Sequence, residues 1–428
     1  QTVGLHFSFI NPFRETMNIY LLIILSALIG EFLLRTLVRV LNLKALDPGL
    51  PNEFQGYYDE EKYARSQEYT RVNTRFAFFT TSFDLIVILV FILFGGFNFV
   101  DQIVRGFGLS TLPSGLAFFG ILFFASDLIS TPFSLYQNFV IEEDFGFNKM
   151  TLKTFILDKL KGYLLTLALG GVFLTAILFF FEKTGEYGWL YAWGIIGLFM
   201  ILIQPLFTLV IAPMFNKFTP LEKGELRTAI ENYAQKVGFP LSRIDVMDGS
   251  KRSAKSNAYF SGFGKQKRIA LFDTLLEKHS NDEMVAILAH EVGHYKKHHI
   301  KVGILISILH TGLLFWLLSI FIDSPGLFEA FQMKEISVYG GLTFFMILYS
   351  PVELVLSVIM NAVSRRNEFQ ADAYSARTTE KSEHLISGLK NLSVSNLGNL
   401  TPHSFSVMLD HSHPPVLERI TALKKIAV

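Results

Sequence analysis

The stretch AILAHEVGHY, residues 286–295, places two imidazoles and one carboxylate on a single predicted helix. At about 3.6 residues per turn, His290 and His294 lie on the same face, where both rings can reach one metal ion. Glu291 flanks that face and is placed to act as a general base toward a metal-activated water rather than as a ligand. The H-E-x-x-H spacing is typical of zinc hydrolases, and this chain with its 11 histidines should contain it by chance only about 0.015 times.

The residues around this motif favour a helix that ends at a membrane. Ser280 is a suitable N-cap, and the acidic Asp282 and Glu283 follow it at the end where the helix dipole is positive. Only residues 296–301 separate the motif from a long apolar segment. We therefore expect the helix to lie at the membrane surface, either docked there or continuous with that segment. The Lys and His side chains of 296–301 are interpreted as a collar that attracts anionic lipid headgroups.

Composition indicates a membrane protein. Hydrophobic residues make up 50% of the chain and phenylalanine alone occurs 43 times, which is too apolar for an ordinary soluble domain. The chain has no cysteine, so a metal site must use His, Asp or Glu. A formal net charge of +1 argues against a nucleic-acid partner. Seven apolar segments, each close to the ~20 residues that cross a bilayer core, lie near residues 18–40, 77–99, 113–133, 155–181, 189–212, 302–322 and 338–362.

Positive charges alternate between the regions that flank these segments. The N-terminal lead and the loops after the second, fourth and sixth segments each carry a single Lys or Arg. The regions after the first, third, fifth and seventh segments are richer in positive charge. Because Lys and Arg accumulate on the cytoplasmic side, we expect the N-terminus outside and the C-terminus and metal helix inside. A bacterial cytoplasmic membrane or the endoplasmic reticulum is the expected location.

The third metal ligand must come from elsewhere in the chain. His298 continues the spacing of the motif, but it lies about 12 Å from His290 along a helix, too far to share one tetrahedral ion. Glu368 is the best candidate, because it follows the seventh apolar segment and emerges at the same membrane face as His294. Asp372, one turn later, could orient a ligand imidazole. An Arg-paired surface glutamate and an ordinary helical aspartate are the alternative interpretations.

The largest block outside the apolar segments lies between the fifth and the sixth. It is predicted to contain a helix over 220–238, a short strand over 244–247, and a hairpin from 257 to 272 that turns near Gly264. A hairpin strand could hold an extended peptide beside the metal, although a purely structural hairpin is the alternative. The predicted division is 1–212 for spans one to five, 213–301 for the catalytic region, 302–363 for spans six and seven, and 364–428 for a C-terminal region with the third ligand.

Six stretches carry a family resemblance: PFSLYQNFVIEEDFGFN (132–148), PMFNKFTPLEKGE (213–225), SNAYF (256–260), HEVGH (290–294), EFQAD (368–372) and HPPVLER (413–419). Together they resemble the type I CAAX prenyl endopeptidases, which are integral-membrane zinc proteases of the gluzincin type. The resemblance implies a predominantly α-helical, polytopic membrane protein with about seven transmembrane helices enclosing a water-filled chamber. A small α+β, zincin-like catalytic region would lie at the cytosolic end of that chamber.

The resemblance also implies residue roles. One zinc per chain would be bound by His290, His294 and Glu368, with Glu291 as the base. Substrate would contact Asn257, with Ala258 and Tyr259 following it in the strand. The developing oxyanion would be stabilised by His413, which Arg419 would support. Ionisable side chains within the spans would face the chamber, since such groups are costly in lipid; they are Asp84, Asp127, His310 and Glu353.

The predicted function is a zinc-dependent membrane endopeptidase that cleaves near the C-terminus of prenylated CAAX-type or other membrane-associated peptides. Its partners would be peptide substrate and membrane lipid, without nucleic acid. Two alternatives remain open: a broad-specificity quality-control protease for membrane proteins, and a non-catalytic zinc-containing transporter or receptor. Structural zinc sites normally have four protein ligands, so three ligands beside a base favour the enzyme.

Overall fold

The computed structural model describes residues 18–261 and 267–426. The predicted lead over 1–17 and the hairpin turn near Gly264 lie outside the described residues. The helices are α1 Ile19–Lys44, α2 Glu60–Leu93, α3 Gly96–Gly106, α4 Thr111–Tyr136, α5 Glu142–Asp144, α6 Leu152–Leu165, α7 Gly171–Lys183, α8 Gly188–Leu206, α9 Ala212–Phe215, α10 Glu225–Lys236, α11 Asp273–Leu276, α12 Asn281–Lys296, α13 His299–Phe321, α14 Pro325–Ala330, α15 Val338–Thr379, α16 Ser382–Ser395, α17 Ser404–Asp410 and α18 Val416–Ile426. The strands are β1 Phe218–Pro220, β2 Leu241–Met247, β3 Ala258–Ser261 and β4 Lys267–Phe272.

Within the described residues, 7 helical segments are long and apolar enough to cross a bilayer. They match the predicted spans in number and order, which confirms the predicted fold class of a helical membrane protein with a small sheet. The third, fourth and fifth spans each contain a π-helical turn, and these turns lie at Gln137–Ile141, Thr166–Gly170 and Phe207–Ile211. The spans are Ile19–Lys44, Glu60–Leu93, Thr111–Asp144, Leu152–Lys183, Gly185–Phe215, His299–Phe321 and Val338–Thr379.

The second span differs most from its prediction. It begins at Glu60, capped by the Asp59 side chain, rather than near residue 77. The chain then leaves the helix at Gly95, where φ is 70°, and enters the short helix α3. Glycine adopts that left-handed conformation without a steric penalty. Hydropathy alone predicts the apolar run as one span to residue 99, because the run continues through this turn.

The surfaces of the spans are those of a membrane protein. Large apolar side chains lie outermost on them, including Leu128 at 75% exposure and Leu209 at 73%. A soluble monomer rarely shows such continuous apolar surface. Three of the four ionisable side chains predicted within the spans are paired: Asp127 lies 2.8 Å from the amine of Lys159, and Glu353 lies 3.3 Å from His310. Whether these pairs face a chamber remains a prediction.

The sheet has the strand order β1-β2-β4-β3. Strands β3 and β4 pair antiparallel, which confirms the predicted pairing of the hairpin strands, and β2 pairs parallel with β4. One face of the sheet packs against α10 and α12, through buried side chains that include Ile230, Ile269 and Leu288. Strand β3 lies at the edge of the sheet, so its outer backbone groups are free of sheet pairing.

The metal helix α12 ends before the sixth span begins. Ser280 and Glu283 form a complete capping box at its start, which confirms the predicted N-cap. At its end, His298 takes a left-handed conformation with φ of 61°, and α13 starts one residue later. The sixth span is therefore a separate helix, and the alternative of a continuous helix is wrong.

Helix α15 is longer than a bilayer requires. Its 42 residues extend about 63 Å at 1.5 Å per residue, about twice the ~30 Å of the hydrocarbon core. Glu368 and Asp372 lie on the part beyond the predicted span, residues 364–379. Helices α16 and α18 cover it and α12, in a core that buries Ala376, Leu385 and Leu423.

Candidate metal centre

Three side chains from α12 and α15 converge on one point. Nε2 of His290 lies 3.2 Å from Nε2 of His294 and 3.4 Å from Oε2 of Glu368. Nε2 of His294 lies 3.3 Å from Oε1 of Glu368. Donor atoms at the corners of a tetrahedron around zinc, each about 2.0–2.2 Å from the ion, are about 3.3–3.5 Å apart. The arrangement therefore has the dimensions of a three-ligand zinc site.

The burial and charge of these side chains also suit a cation. Glu368 is buried, and its Oε2 atom accepts no hydrogen bond from any described residue. A buried carboxylate oxygen without a donor is costly unless a cation satisfies it. Burial lowers the pKa of His290, but the neighbouring carboxylates of Asp372 and Glu368 outweigh that effect and raise the pKa to about 9. The centre thus stabilises positive charge.

Close contact between α12 and α15 brings the third donor to the first two. A Cβ atom on Gly293 would lie 3.0 Å from Cα and 3.1 Å from the carbonyl oxygen of Ala371. The glycine of the H-E-V-G-H motif therefore allows two helix backbones to meet. Nearby, the Ser375 hydroxyl donates a 2.8 Å hydrogen bond to the carbonyl of Ala286, one turn before the first histidine.

The outer ring nitrogen of His290 has a charged partner. Its Nδ1 lies 2.9 Å from Oδ1 of Asp372, the carboxylate one turn after Glu368. Arg419 of α18 donates to both oxygens of that carboxylate, at 2.6 and 2.8 Å. Its guanidinium also lies 3.5 Å from Oε2 of Glu368. Arg419 is thus buried behind the metal ligands, and it reaches the site through Asp372 and Glu368.

The outer ring nitrogen of His294 has a different partner, which the sequence analysis missed. Its Nδ1 lies 3.1 Å from Nδ1 of His299, and Nε2 of His299 lies 3.2 Å from Oε1 of Gln370. On sequence alone His299 is predicted to belong to the basic collar, whereas the structure places it against the metal centre. The signal that could have found it is the need of a metal-binding imidazole for a partner at its second nitrogen.

Glu291 lies beside the three donors, where α12 meets the edge strand. Together with Ala258, Leu271 and Ile287 it lines a small, mainly apolar cavity between helix and sheet. Burial raises the pKa of its carboxyl group. A carboxyl with a raised pKa exchanges protons more readily near neutral pH, which suits an acid–base group.

The residues predicted to contact substrate occupy the edge strand and the C-terminal region. Asn257 is exposed immediately before β3, and Ala258 and Tyr259 belong to that strand. His413 lies before α18, with Nε2 3.4 Å from Oε1 of Glu368 and its side chain 65% exposed. The structure therefore brings a potential peptide-binding edge and an accessible imidazole to the same centre.

Two histidines and one glutamate converge as candidate metal ligands, and a second glutamate lies beside them. A helical membrane protein with this arrangement belongs to the class of membrane metallopeptidases. Comparison with known proteins agrees. Residues 39–217 match the family profile described as CAAX prenyl protease N-terminal, five membrane helices, and residues 220–427 match peptidase family M48. The chain belongs to this family of CAAX prenyl proteases and is a multi-pass membrane metalloendopeptidase.

Similar proteins cover nearly the whole chain. CAAX prenyl protease 1 of Saccharomyces cerevisiae is 36% identical over 411 residues, 90% of each chain. The CAAX prenyl protease 1 homolog of Homo sapiens is 34% identical over 421 residues, 88% of each chain. Among solved structures, the crystal structure of S. mikatae Ste24p superposes with a TM-score of 0.88 at 37% identity, covering 94% of this chain and 98% of that one.

Proposed function

We propose that this enzyme cleaves a peptide bond near the C-terminus of prenylated CAAX-type substrates, with one zinc ion held by His290, His294 and Glu368. The observation that carries the proposal is the convergence of these three donors, whose ligand atoms all lie within 4.8 Å of one another. Two imidazoles and a carboxylate without cysteine form a zinc-binding set known from metallopeptidases. Three protein ligands leave a coordination position open for chemistry.

The chain's own residues supply the proton transfers. A zinc ion held by His290, His294 and Glu368 would supply Lewis acidity for the scissile carbonyl and for a water molecule. Glu291 removes the proton from the attacking water, and the same carboxyl delivers it to the nitrogen of the leaving amine. His413 donates a hydrogen bond to the oxyanion that develops on the carbonyl oxygen. No covalent bond to the enzyme forms.

The edge strand supports an extended peptide as the substrate. Strand β3 pairs with β4 on one side only, and its first residue, Ala258, borders the same cavity as Glu291. A substrate backbone added to the free edge of β3 would therefore pass the metal centre. Asn257, exposed at the start of the strand, is the proposed side-chain contact, followed by Ala258 and Tyr259.

A membrane-associated substrate fits the position of the centre. Only Lys297 and His298 separate the metal helix from the sixth span, so a lipid group that remains in the bilayer can lie close to the scissile bond. A relative named CAAX prenyl protease 1 is similar to this chain over 90% of its length. These observations favour a prenylated peptide over a soluble one.

Purified protein should be incubated with a farnesylated C-terminal peptide and with its unprenylated twin, with and without a chelator. We expect cleavage of the farnesylated peptide, identified by mass spectrometry, and its loss when zinc is removed. Equal cleavage of both peptides would instead indicate a broad-specificity protease. Cleavage that persists without any bound metal would contradict the zinc mechanism.

The orientation in the membrane is a second part of the proposal: the centre and the C-terminus face the cytoplasm. Since the chain has no cysteine, single cysteines report their side without background. A membrane-impermeant thiol reagent applied from outside should label Lys183→Cys and Lys334→Cys but not Lys223→Cys, all three positions being exposed. Labelling of Lys223→Cys alone would reverse the orientation.

A further inference from the structure

The two histidines of the motif are held by chemically different partners. His290 contacts a carboxylate, that of Asp372, which is itself bound by a guanidinium. His294 contacts a second imidazole, that of His299, which ends on the neutral amide of Gln370. We propose that His299 and Gln370 are positioning residues, which fix the protonation pattern and orientation of His294 without adding charge to the metal centre. The inference rests on the zinc site proposed above.

The proton positions follow from the contacts. Nε2 of His294 faces Nε2 of His290 and Oε1 of Glu368, at 3.2 and 3.3 Å, and must be unprotonated to bind a metal. The neutral ring of His294 therefore carries its proton on Nδ1. That proton is directed at Nδ1 of His299, 3.1 Å away, and two adjacent nitrogens can share only one proton.

His299 is then a neutral ring with its proton on Nε2. This proton is donated to Oε1 of Gln370 at 3.2 Å. The two hydrogen bonds thus run in one direction, from His294 to His299 and from His299 to Gln370. This direction follows from the unprotonated Nε2 that His294 needs in order to bind a metal, and the carbonyl oxygen of Gln370 accepts the last proton.

The fold places these residues together by breaking the helix. Because His298 adopts a left-handed conformation, the chain turns between α12 and α13, and His299 folds back against His294 instead of continuing along the axis. Gln370 comes from α15, two residues after the third ligand. His299 therefore depends on the break between α12 and α13, whereas Gln370 depends on the contact between α12 and α15 that also forms the metal site.

The difference in charge has a chemical consequence. A carboxylate behind a ligand imidazole raises the basicity of that ligand and the electron density on the metal. Asp372 does this for His290 alone, whereas the amide behind His299 leaves His294 less basic. The centre thereby retains more Lewis acidity than it would with two carboxylate partners, which favours polarisation of a substrate carbonyl.

The test measures zinc affinity of the purified full-length protein by competition with a chelator. We expect His299→Ala and Gln370→Leu each to weaken zinc binding, by up to the roughly 10–100-fold that is typical of losing such a partner. His299→Gln retains an acceptor oxygen for the Nδ1 proton of His294 and should restore part of the affinity. His298→Asn is the matched control: it alters the neighbouring exposed histidine, tolerates the left-handed conformation, and should leave zinc affinity unchanged.

Gln370→Glu separates positioning from a purely structural role. A carboxylate at this position should tighten zinc binding through His299 and shift the visible absorption bands of the cobalt-substituted protein. In the His299→Ala background the same change should do neither. An equal effect of Gln370→Glu in both backgrounds, or wild-type zinc affinity in His299→Ala, would overturn the proposal. If instead the wild-type protein binds no zinc, the failure lies with the proposed metal site.

Melting temperatures of the zinc-free variants provide the check on folding. A variant that melts like the zinc-free wild type but binds zinc less tightly supports a positioning role. A variant that loses stability and zinc affinity together, without recovery in His299→Gln, indicates a structural contact at the helix junction and contradicts the proposal.

Discussion

Helix α12 and residues 364–379 of α15 supply the same metal centre, yet they do so in opposite ways. Helix α12 carries His290 and His294 within one turn, starts at a complete capping box and packs on the sheet. Residues 364–379 continue a membrane span and contribute Glu368 and Asp372 through contact with α12. The relative position of the two histidines follows from their spacing within α12. The position of Glu368 and Asp372 depends instead on the packing of the α15 backbone against α12.

The largest effect is expected when the metal ligand that α15 contributes, Glu368, is removed. Glu368→Ala should lose both zinc and turnover, because two imidazoles alone leave the ion with too few protein ligands. Metal content by atomic absorption and peptide cleavage should fall together. His294→Ala should behave in the same way if both helices are equally necessary. Full zinc retention in Glu368→Ala would remove this residue from the ligand set.

The next test separates metal binding from catalysis within α12. Glu291→Gln keeps the size of the side chain but cannot accept a proton, so zinc content should stay near wild type. Turnover should fall by about 10²–10⁴-fold, the range for a lost general base. Wild-type cleavage by this variant would show that Glu291 is not the base.

A smaller effect is expected from the contact between the two helices. Gly293→Ala places a Cβ atom 3.0 Å from Cα of Ala371, so the helices must separate slightly. Overpacking of this kind costs about 1–3 kcal/mol, and we expect a lower melting temperature together with weaker zinc binding. Gly303→Ala is the matched control, since a Cβ there meets no atom within 4 Å. Unchanged zinc affinity in Gly293→Ala would show that the close contact does not position Glu368.

The smallest effect concerns the capping box of α12. Burial raises the pKa of Glu283, but the His279 ring 3.4 Å away and the hydrogen bonds from the Ser387 hydroxyl and the Ser280 amide outweigh it and lower the pKa to about 2. Since the folded pKa lies below the ordinary value of 4.5, the charge stabilises the fold above that pH and loses this effect as the pH falls toward 2. Glu283→Gln keeps most hydrogen bonds, so its melting temperature should be slightly lower at neutral pH.

Melting curves of zinc-free wild type and Glu283→Gln from pH 7 downward test this prediction. The two melting temperatures should approach each other below the ordinary carboxyl pKa. A difference that stays constant with pH would mean that the charge of Glu283 does not stabilise the folded state.

Local pattern by itself determined much of this protein. Apolar run length predicts seven spans, because each must match the thickness of a bilayer. The i, i+4 spacing predicts that His290 and His294 share a face, and Ser280 with Glu283 predicts where the helix begins. Alternation and turn residues predict that β3 and β4 pair. Each of these features depends on residues close together in the chain, so the sequence carries them directly.

The tertiary structure decided the features that depend on distant packing. The position of Glu368 against the histidines requires the backbone contact at Gly293, and no local pattern specifies which helix lies there. Hydrogen-bond partners behind the ligands are equally distant: Arg419 reaches the centre from α18, and His299 folds back only because the helix breaks at His298. Arg419 and His299 become partners because the fold brings them close to the ligands in space. The periodicity of nearby residues does not predict such tertiary contacts.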